Sequence, residues 1–178
     1  MRKLKNSELN RLSIEEFKNV SKLPIVIVLD NIRSMNNIGS AFRTADAFCV
    51  ESIYLCGITA TPPHREIQKT ALGATDSVNW KYFSSTLEAV QLLKTEGYTL
   101  FSVEQAEGSI PLPQFVPNHK KIAYIFGNEV NGVDDLIMNM VDGCIEIPQY
   151  GTKHSLNVSV SIGIVIWDHL LKQQSLNY

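Results

Sequence analysis

Three separated stretches hold polar residues of types that could act on a ligand, each set against an apolar run. In Asn36-Asn-Ile-Gly-Ser-Ala-Phe-Arg-Thr-Ala-Asp46, a helical reading puts Ile38, Ala41, Phe42, Ala45 and Phe48 on one buried stripe. Gly39, Arg43 and Asp46 then share another face. Helical side chains lean toward the N-terminus, so Arg43 reaches back over Gly39 toward the unpaired N–H groups of the helix start. A guanidinium over such a start makes a phosphate-sized anion site. An Arg43–Asp46 surface pair, worth little, is the plainer alternative. The second stretch, Phe126-Gly-Asn-Glu-Val-Asn-Gly-Val133, directly follows an apolar strand. Its glycines allow a tight turn, and Glu129 falls beyond a strand's carboxyl end, where open α/β sheets place ligands. It has neither the Gly-Lys-Ser/Thr of a phosphate-binding P-loop nor the spacing of a dinucleotide fingerprint. The third runs from Ile145 to Lys172: a short strand, a loop opened by Pro148 and loosened by Gly151, then a helix. Ser155 is placed to cap that helix, with Asn157 inside its first turn.

These residues need a scaffold, and the rest of the chain alternates in a way that supplies one. Ser13-Ile-Glu-Glu16 has the capping-box spacing for a short helix reaching Val20. Ile25 to Leu29 is a β-branched run of the kind buried on both faces of a sheet. Asn37 is read as the cap of a helix to Phe48, and Ser52 to Cys56 as a second strand. A loop at Pro62-Pro63 precedes a helix around Glu66 to Leu72. Val78, Trp80 and Tyr82 alternate as a strand, and Ser85 caps a helix that Gly97 stops. Strands follow at Tyr98 to Val103 and, after a loop with Pro111, Pro113 and Pro117, at Ile122 to Phe126. Asp134 starts a short helix ending near Gly143, and a strand at Ile145 closes the series. About six strands separated by helices imply a parallel sheet covered on both faces. The last helix carries Val158, Val160, Ile162, Ile164, Val165, Ile166, Trp167, Leu170 and Leu171, apolar on nearly every face, while Ser159, Ser161 and Gly163 keep one side slim.

Composition bounds the function classes. The chain has 178 residues, 44% of them hydrophobic and none in low-complexity tracts, which fits one globular domain with a proper core. Cys49, Cys56 and Cys144 are odd in number and lack metal-ligand spacing; with His64, His119, His154 and His169 scattered, no metal site is suggested. Core-type cysteines in a reducing compartment, a polar N-terminus unlike a secretory signal, and no membrane span predict a cytoplasmic protein. Charge is uneven. Residues 1–22 carry six basic residues (Arg2, Lys3, Lys5, Arg11, Lys18, Lys22) against three acidic, net +3. The remainder has ten against fifteen, net −5. A basic arm on an acidic body is suited to a nucleic-acid backbone, and equally to an ordinary solvated leader.

In combination and in this order, Asn37-x-Gly39-x-x-x-Arg43, Gly127-Asn128-Glu129-x-x-Gly132 and Ile147-Pro148…Ser155-Leu156-Asn157-Val158-Ser159 resemble the SpoU/TrmH family of RNA ribose 2′-O-methyltransferases, within the SPOUT superfamily. The resemblance runs from about Pro24 to Lys172. It implies a parallel α/β sheet flanked by helices whose C-terminal segment threads a deep trefoil knot, an arrangement topology rules would exclude. Residues 1–23 are then a short basic extension with a helix, and 24–178 the methyltransferase domain. It further implies a homodimer through the knotted region and last helix, and S-adenosylmethionine bent in the knot, leaving S-adenosylhomocysteine as product. By motif position the cofactor contacts are Val103, Gly127, Ile147, Leu156 and Ser155, and the catalytic set is Asn37, Arg43, Glu129, Ser155 and Asn157. RNA contacts are assigned to Arg43 and to the arm residues Arg2, Lys3, Lys5 and Arg11. Cys49 stands where glycine is usual and Gln149 where an apolar residue is common. The small size resembles tRNA-modifying members, with ribosomal RNA the main rival. Two other classes stay open: a non-catalytic RNA-binding relative, and a nucleotide-binding oxidoreductase, for which Asp30-Asn-Ile-Arg-Ser-Met lacks the glycine fingerprint.

Overall fold

The computed structural model describes residues 1–176. Its strands are β1 (Leu23–Asp30), β2 (Val50–Cys56), β3 (Trp80–Phe83), β4 (Thr99–Val103), β5 (Ile110–Pro111), β6 (Ile122–Phe126) and β7 (Gly143–Glu146). Helices are α1 (Ile14–Asn19), α2 (Met35–Ala47), α3 (Arg65–Ala71), α4 (Ala74–Ser77), α5 (Thr86–Thr95), α6 (Asp135–Met138) and α7 (Val158–Leu176). The strands form one sheet in the order β3-β2-β1-β6-β4-β7-β5, and every pairing is parallel. The parallel sheet expected from the alternation is therefore present, with one strand more than expected. The extra strand, β5, lies in the proline-rich loop and is only two residues long.

Period-two alternation along β1 builds both halves of the core. Ile25, Ile27 and Leu29 face one side and pack with Phe42 of α2, Ile67 of α3 and Ile162, Val165 and Ile166 of α7. Val26 and Val28 face the other side, against Ala89, Val90 and Leu93 of α5 and Ile137 of α6. Each helix thus has its apolar stripe set by 3.6-residue spacing onto a sheet face that is set by two-residue spacing. Because all seven strands run the same way, the loops after β1, β4, β6 and β7 gather on one rim.

Three local readings are corrected. Ser34, not Asn37, is the N-cap of α2, accepting from the Asn37 N–H at 3.3 Å; both are good caps, and the first in sequence wins here. Gly39 does not open a space for Arg43. It is buried where α2 meets α3, and a β-carbon there would lie 2.1 Å from Thr70 Oγ1 and 2.3 Å from the Ile67 carbonyl. Its glycine is required by helix–helix approach. Val78 ends α4 rather than starting β3, its N–H donating to the Ala74 carbonyl.

Candidate active site

The start of α7 fixes the first polar group. Ser155 was expected to cap this helix, but α7 begins at Val158 and Asn157 takes the cap position. Asn157 Oδ1 accepts from the Ser159 N–H at 2.8 Å and from Ser159 Oγ at 2.6 Å. With its oxygen so engaged, the Asn157 carboxamide turns its nitrogen outward, where it donates to Asn37 Oδ1 at 3.1 Å. That in turn leaves Asn37 Nδ2 to donate to Glu129 Oε1, also at 3.1 Å. A directional chain results, Asn157 to Asn37 to Glu129, joining the ends of three segments that are 120 and 92 residues apart. It terminates on the one partner that can only accept when ionised.

Beneath this chain lies a cavity of about 730 Å³, inside the range of about 300–1,000 Å³ usual for small-ligand sites. Val103, Gly127, Ile147, Ser155 and Leu156 all line it, together with Glu129 and Asn157. Its lining comes from the segments at the ends of β4, β6 and β7, with apolar Val103, Phe126 and Ile147 beside polar Asn128, Gln149 and Asn157. Glu104, directly after β4, adds a carboxylate able to meet hydroxyl or ammonium groups. Gly127 allows the loop after β6 to fold tightly on itself, since a β-carbon there would sit 2.0 Å from the Gly132 carbonyl carbon. Across the mouth, Gln105 Nε2 donates to the His154 carbonyl at 2.5 Å and fastens the 147–157 loop to the end of β4. Behind Glu104, the Cys144 thiol donates to the Glu104 carbonyl at 3.4 Å; burial raises its pKa and keeps it protonated.

Arg43 is not brought into this group. Six residues beyond Asn37 on α2, it is about 9 Å further along the axis and lines a neighbouring groove with Ser40, Thr44, Lys69 and Thr70. The alternative pairing with Asp46 is not made either: Asp46 Oδ1 accepts from Ser77 Oγ at 2.6 Å. Among the described residues Arg43 has no ion-pair partner, so its cation is available to a ligand. In the arm, Arg2, Lys3, Lys5 and Arg11 are exposed, and Arg2 is held by a two-pronged pair to Glu8 at 2.9 and 2.7 Å. Sequence reasoning missed Ser34, Glu104 and Gln105. The rule that singled out Glu129, a polar residue just past a strand's carboxyl end, applies equally to Glu104. No group of three or more His, Cys, Asp or Glu among the described residues could hold a metal ion, and no helix there is long and apolar enough to cross a membrane.

A parallel sheet with a cavity on its carboxyl rim, edged by a carboxamide–carboxamide–carboxylate chain, defines an open α/β protein with a candidate small-molecule site. The particular lineage follows from comparison with known proteins: residues 24–167 match the SpoU rRNA Methylase family, and the chain belongs to it. It is 28% identical over 158 residues to the 23S rRNA (guanosine-2′-O-)-methyltransferase RlmB of Neisseria meningitidis, covering 88% of this chain and 62% of that enzyme. It is 26% identical over 167 residues to the tRNA (guanosine(18)-2′-O)-methyltransferase of Borreliella burgdorferi, covering 93% of this chain and 75% of that one. The crystal structure of an AdoMet-bound rRNA methyltransferase from Sinorhizobium meliloti shares the fold, with a TM-score of 0.78 at 23% identity, covering 86% of this chain and 59% of that one. The chain thus spans under two thirds of the length of the Neisseria enzyme.

Proposed function

We propose that this protein transfers a methyl group from S-adenosylmethionine to a ribose 2′-hydroxyl of RNA, with transfer RNA as the substrate. The observation that carries this reading is the Asn157–Asn37–Glu129 chain on the rim of a cavity lined by Val103, Gly127, Ile147 and Leu156. Bound in that cavity, S-adenosylmethionine supplies an electrophilic methyl on a sulfonium that is already a good leaving group. What the protein must supply is position and local charge. Ile147 and Leu156 give the cavity an apolar wall, and the Gln105–His154 bond holds the loop that carries Leu156. Glu129, with Asn37 fixing its orientation, accepts the hydroxyl proton as the oxygen becomes nucleophilic. Arg43 remains protonated, because a guanidinium does not readily lose its proton and a nearby phosphate holds it more firmly. Its place in the α2–α3 groove, beside the cavity rather than in it, suits it to anchor an RNA phosphate next to the reacting ribose.

Two features accompany the reaction in this reading. On α7, Val160, Ile164 and Trp167 are spaced four and three residues apart and form an exposed apolar stripe, with Trp167 53% accessible and its ring centroid 5.9 Å from that of Phe48. This stripe is the homodimer face. The C-terminal segment is threaded as a trefoil knot, a reading supported by β7 lying between β4 and β5, and by β6 lying between β1 and β4, strands that precede each in the chain. The basic arm, residues 1–23, adds contacts to the RNA backbone. Ribosomal RNA is the second reading, favoured by the similarity to the Neisseria enzyme.

The test is methyl transfer from tritiated S-adenosylmethionine into tRNA and rRNA purified from cells lacking the protein, with mass mapping of the ribose-methylated nucleosides. Label confined to tRNA is expected; label only in rRNA moves the assignment, and no label in either overturns the activity. Arg43→Lys should keep part of the turnover and Arg43→Ala almost none. Equal rates in all three proteins would refute the role given to Arg43.

A further inference from the structure

One buried carboxylate is left over by the reaction. Asp30 ends β1 and is 1% exposed. Its Oδ1 accepts from Thr86 Oγ1 at 2.5 Å and from Asn31 Nδ2 at 2.8 Å, and its Oδ2 accepts from the backbone N–H of Asp134 at 3.0 Å. The amide just before, Val133 N–H, donates to Glu104 Oε2 at 3.2 Å. Two consecutive amides are therefore held by carboxylates from the ends of β1 and β4. These strands flank β6, the strand from which the Glu129 loop emerges. Inside the loop, Asn128 and Gly132 exchange both backbone hydrogen bonds, at 3.1 and 3.0 Å, and Asn128 Oδ1 accepts from the Val130 and Asn131 N–H groups. The loop is a closed ring with a clamped base, and Glu129 sits on it facing Asn37.

We propose that Asp30 is a positioning residue for Glu129, acting through the Asp134 amide to set where the loop holds its carboxylate against Asn37. The proposal rests on the reading of the site given above. A carboxylate is an expensive group to bury and persists only when its lone pairs are satisfied. Here three donors satisfy it, and one of them is the main chain at the foot of the loop. An asparagine would present N–H to one of those donors and could not hold all three. The same carboxylate also joins β1 to the start of α5 through Thr86, so a purely structural role must be separated from a positional one.

Thr86→Val makes that separation, because it breaks the Asp30–Thr86 bond and leaves the Asp30–Asp134 bond in place. Turnover is measured with the RNA that the wild-type protein methylates, and thermal unfolding is followed in parallel. Asp30→Asn should lower kcat at least tenfold with KM for RNA within twofold, while Thr86→Val lowers Tm without changing kcat. On a Glu129→Gln background, Asp30→Asn should cost less than a further twofold, since the group it positions is already altered. If Asp30→Asn does not fold, Asp134→Pro removes the same N–H at a residue whose φ of −56° proline can adopt. Asp134→Ala, which loses the helix cap but keeps the N–H, is its control and should retain turnover. Equal kcat losses in Asp30→Asn and Thr86→Val, or a full tenfold loss persisting on Glu129→Gln, overturns the proposal. Should the wild-type protein methylate no RNA, the reading of the site fails by itself. Hydrogen exchange then decides the clamp: faster exchange at Val133 and Asp134 in Asp30→Asn but not in Thr86→Val sustains it, and unchanged exchange sinks it.

Discussion

Lowering the pH from 7 to 5 should weaken the fold through a single histidine. His169 lies on the inner face of α7, 2% exposed, with its Nδ1 2.8 Å from the Tyr124 hydroxyl of β6. Tyr124 is itself buried, which raises its pKa and keeps the hydroxyl as the donor. The imidazole is then neutral with its proton on Nε2, a buried nitrogen with no hydrogen-bond partner among the described residues. The charged neighbours are Asp168 and Lys172 on the same helix, paired with each other at 2.6 Å. Burial, reinforced by Lys172, lowers the His169 pKa from 6.5 to about 4. A depressed histidine favours the native state while both states are neutral, above the unfolded value, and the advantage is lost as pH falls through the interval between the two values. For 6.5 against 4, the loss between pH 7 and pH 5 comes to about 2 kcal/mol, or about 4–8 °C in Tm for a chain of this length. The assay is urea unfolding at both pH values and one protein concentration, comparing the wild-type protein with His169→Gln so that the common carboxylate contribution cancels. The wild-type protein should lose about 2 kcal/mol more than the variant; identical losses would refute the assignment to His169.

Two further outcomes are expected. On the proposed dimer reading, Trp167→Asp, in the apolar stripe on α7, should leave a species of monomer mass by light scattering where the wild-type protein gives twice that mass, with far-ultraviolet circular dichroism unchanged. The expected loss is about 2 kcal/mol per copy, as for a tryptophan buried in an interface. Leu72→Gly should raise stability by about 1 kcal/mol and Tm by about 2–4 °C. Leu72 closes α3 in the left-handed region at φ +50° and is 66% exposed, so glycine removes strain at little cost in packing. Calorimetry of both proteins measures it.

Element types were legible wherever a local signal stood alone. The capping box at Ser13 and Glu16 forms as read, and the β-branched run at Ile25 to Leu29 is an interior strand, buried on both faces and paired on both edges. Legibility failed where two local signals competed or where the cause lay far away in sequence. Ser34 and Asn37, like Ser155 and Asn157, are pairs of capping residues within one turn, and only the packed helix decides between them. Gly39 advertises a close approach, but its partner is Thr70, 31 positions on. β5 exists because β7 offers it a free edge, a fact absent from residues 105–115. Cys49, singled out as a departure where glycine is usual, has φ +51°, which supplies the physical reason for the usual glycine. Of the site, the three motif segments named the residues that meet, because their ends all fall past strand termini. The separate groove that Arg43 lines was not legible, since it depends on the face of α2 that α3 covers.

The direction of the sheet bears on how much RNA the proposed function would engage. The basic arm joins β1 at its first residue, and α1 packs near α4, which precedes β3; the cavity is at the strands' other ends. Eight residues of β1 separate the two, about 26 Å at the usual rise of about 3.3 Å per residue. On the function proposed above, an RNA held by one subunit at the cavity and at the foot of β1 would span about that distance, and a minimal stem-loop carrying only the target nucleotide would leave the second grip empty.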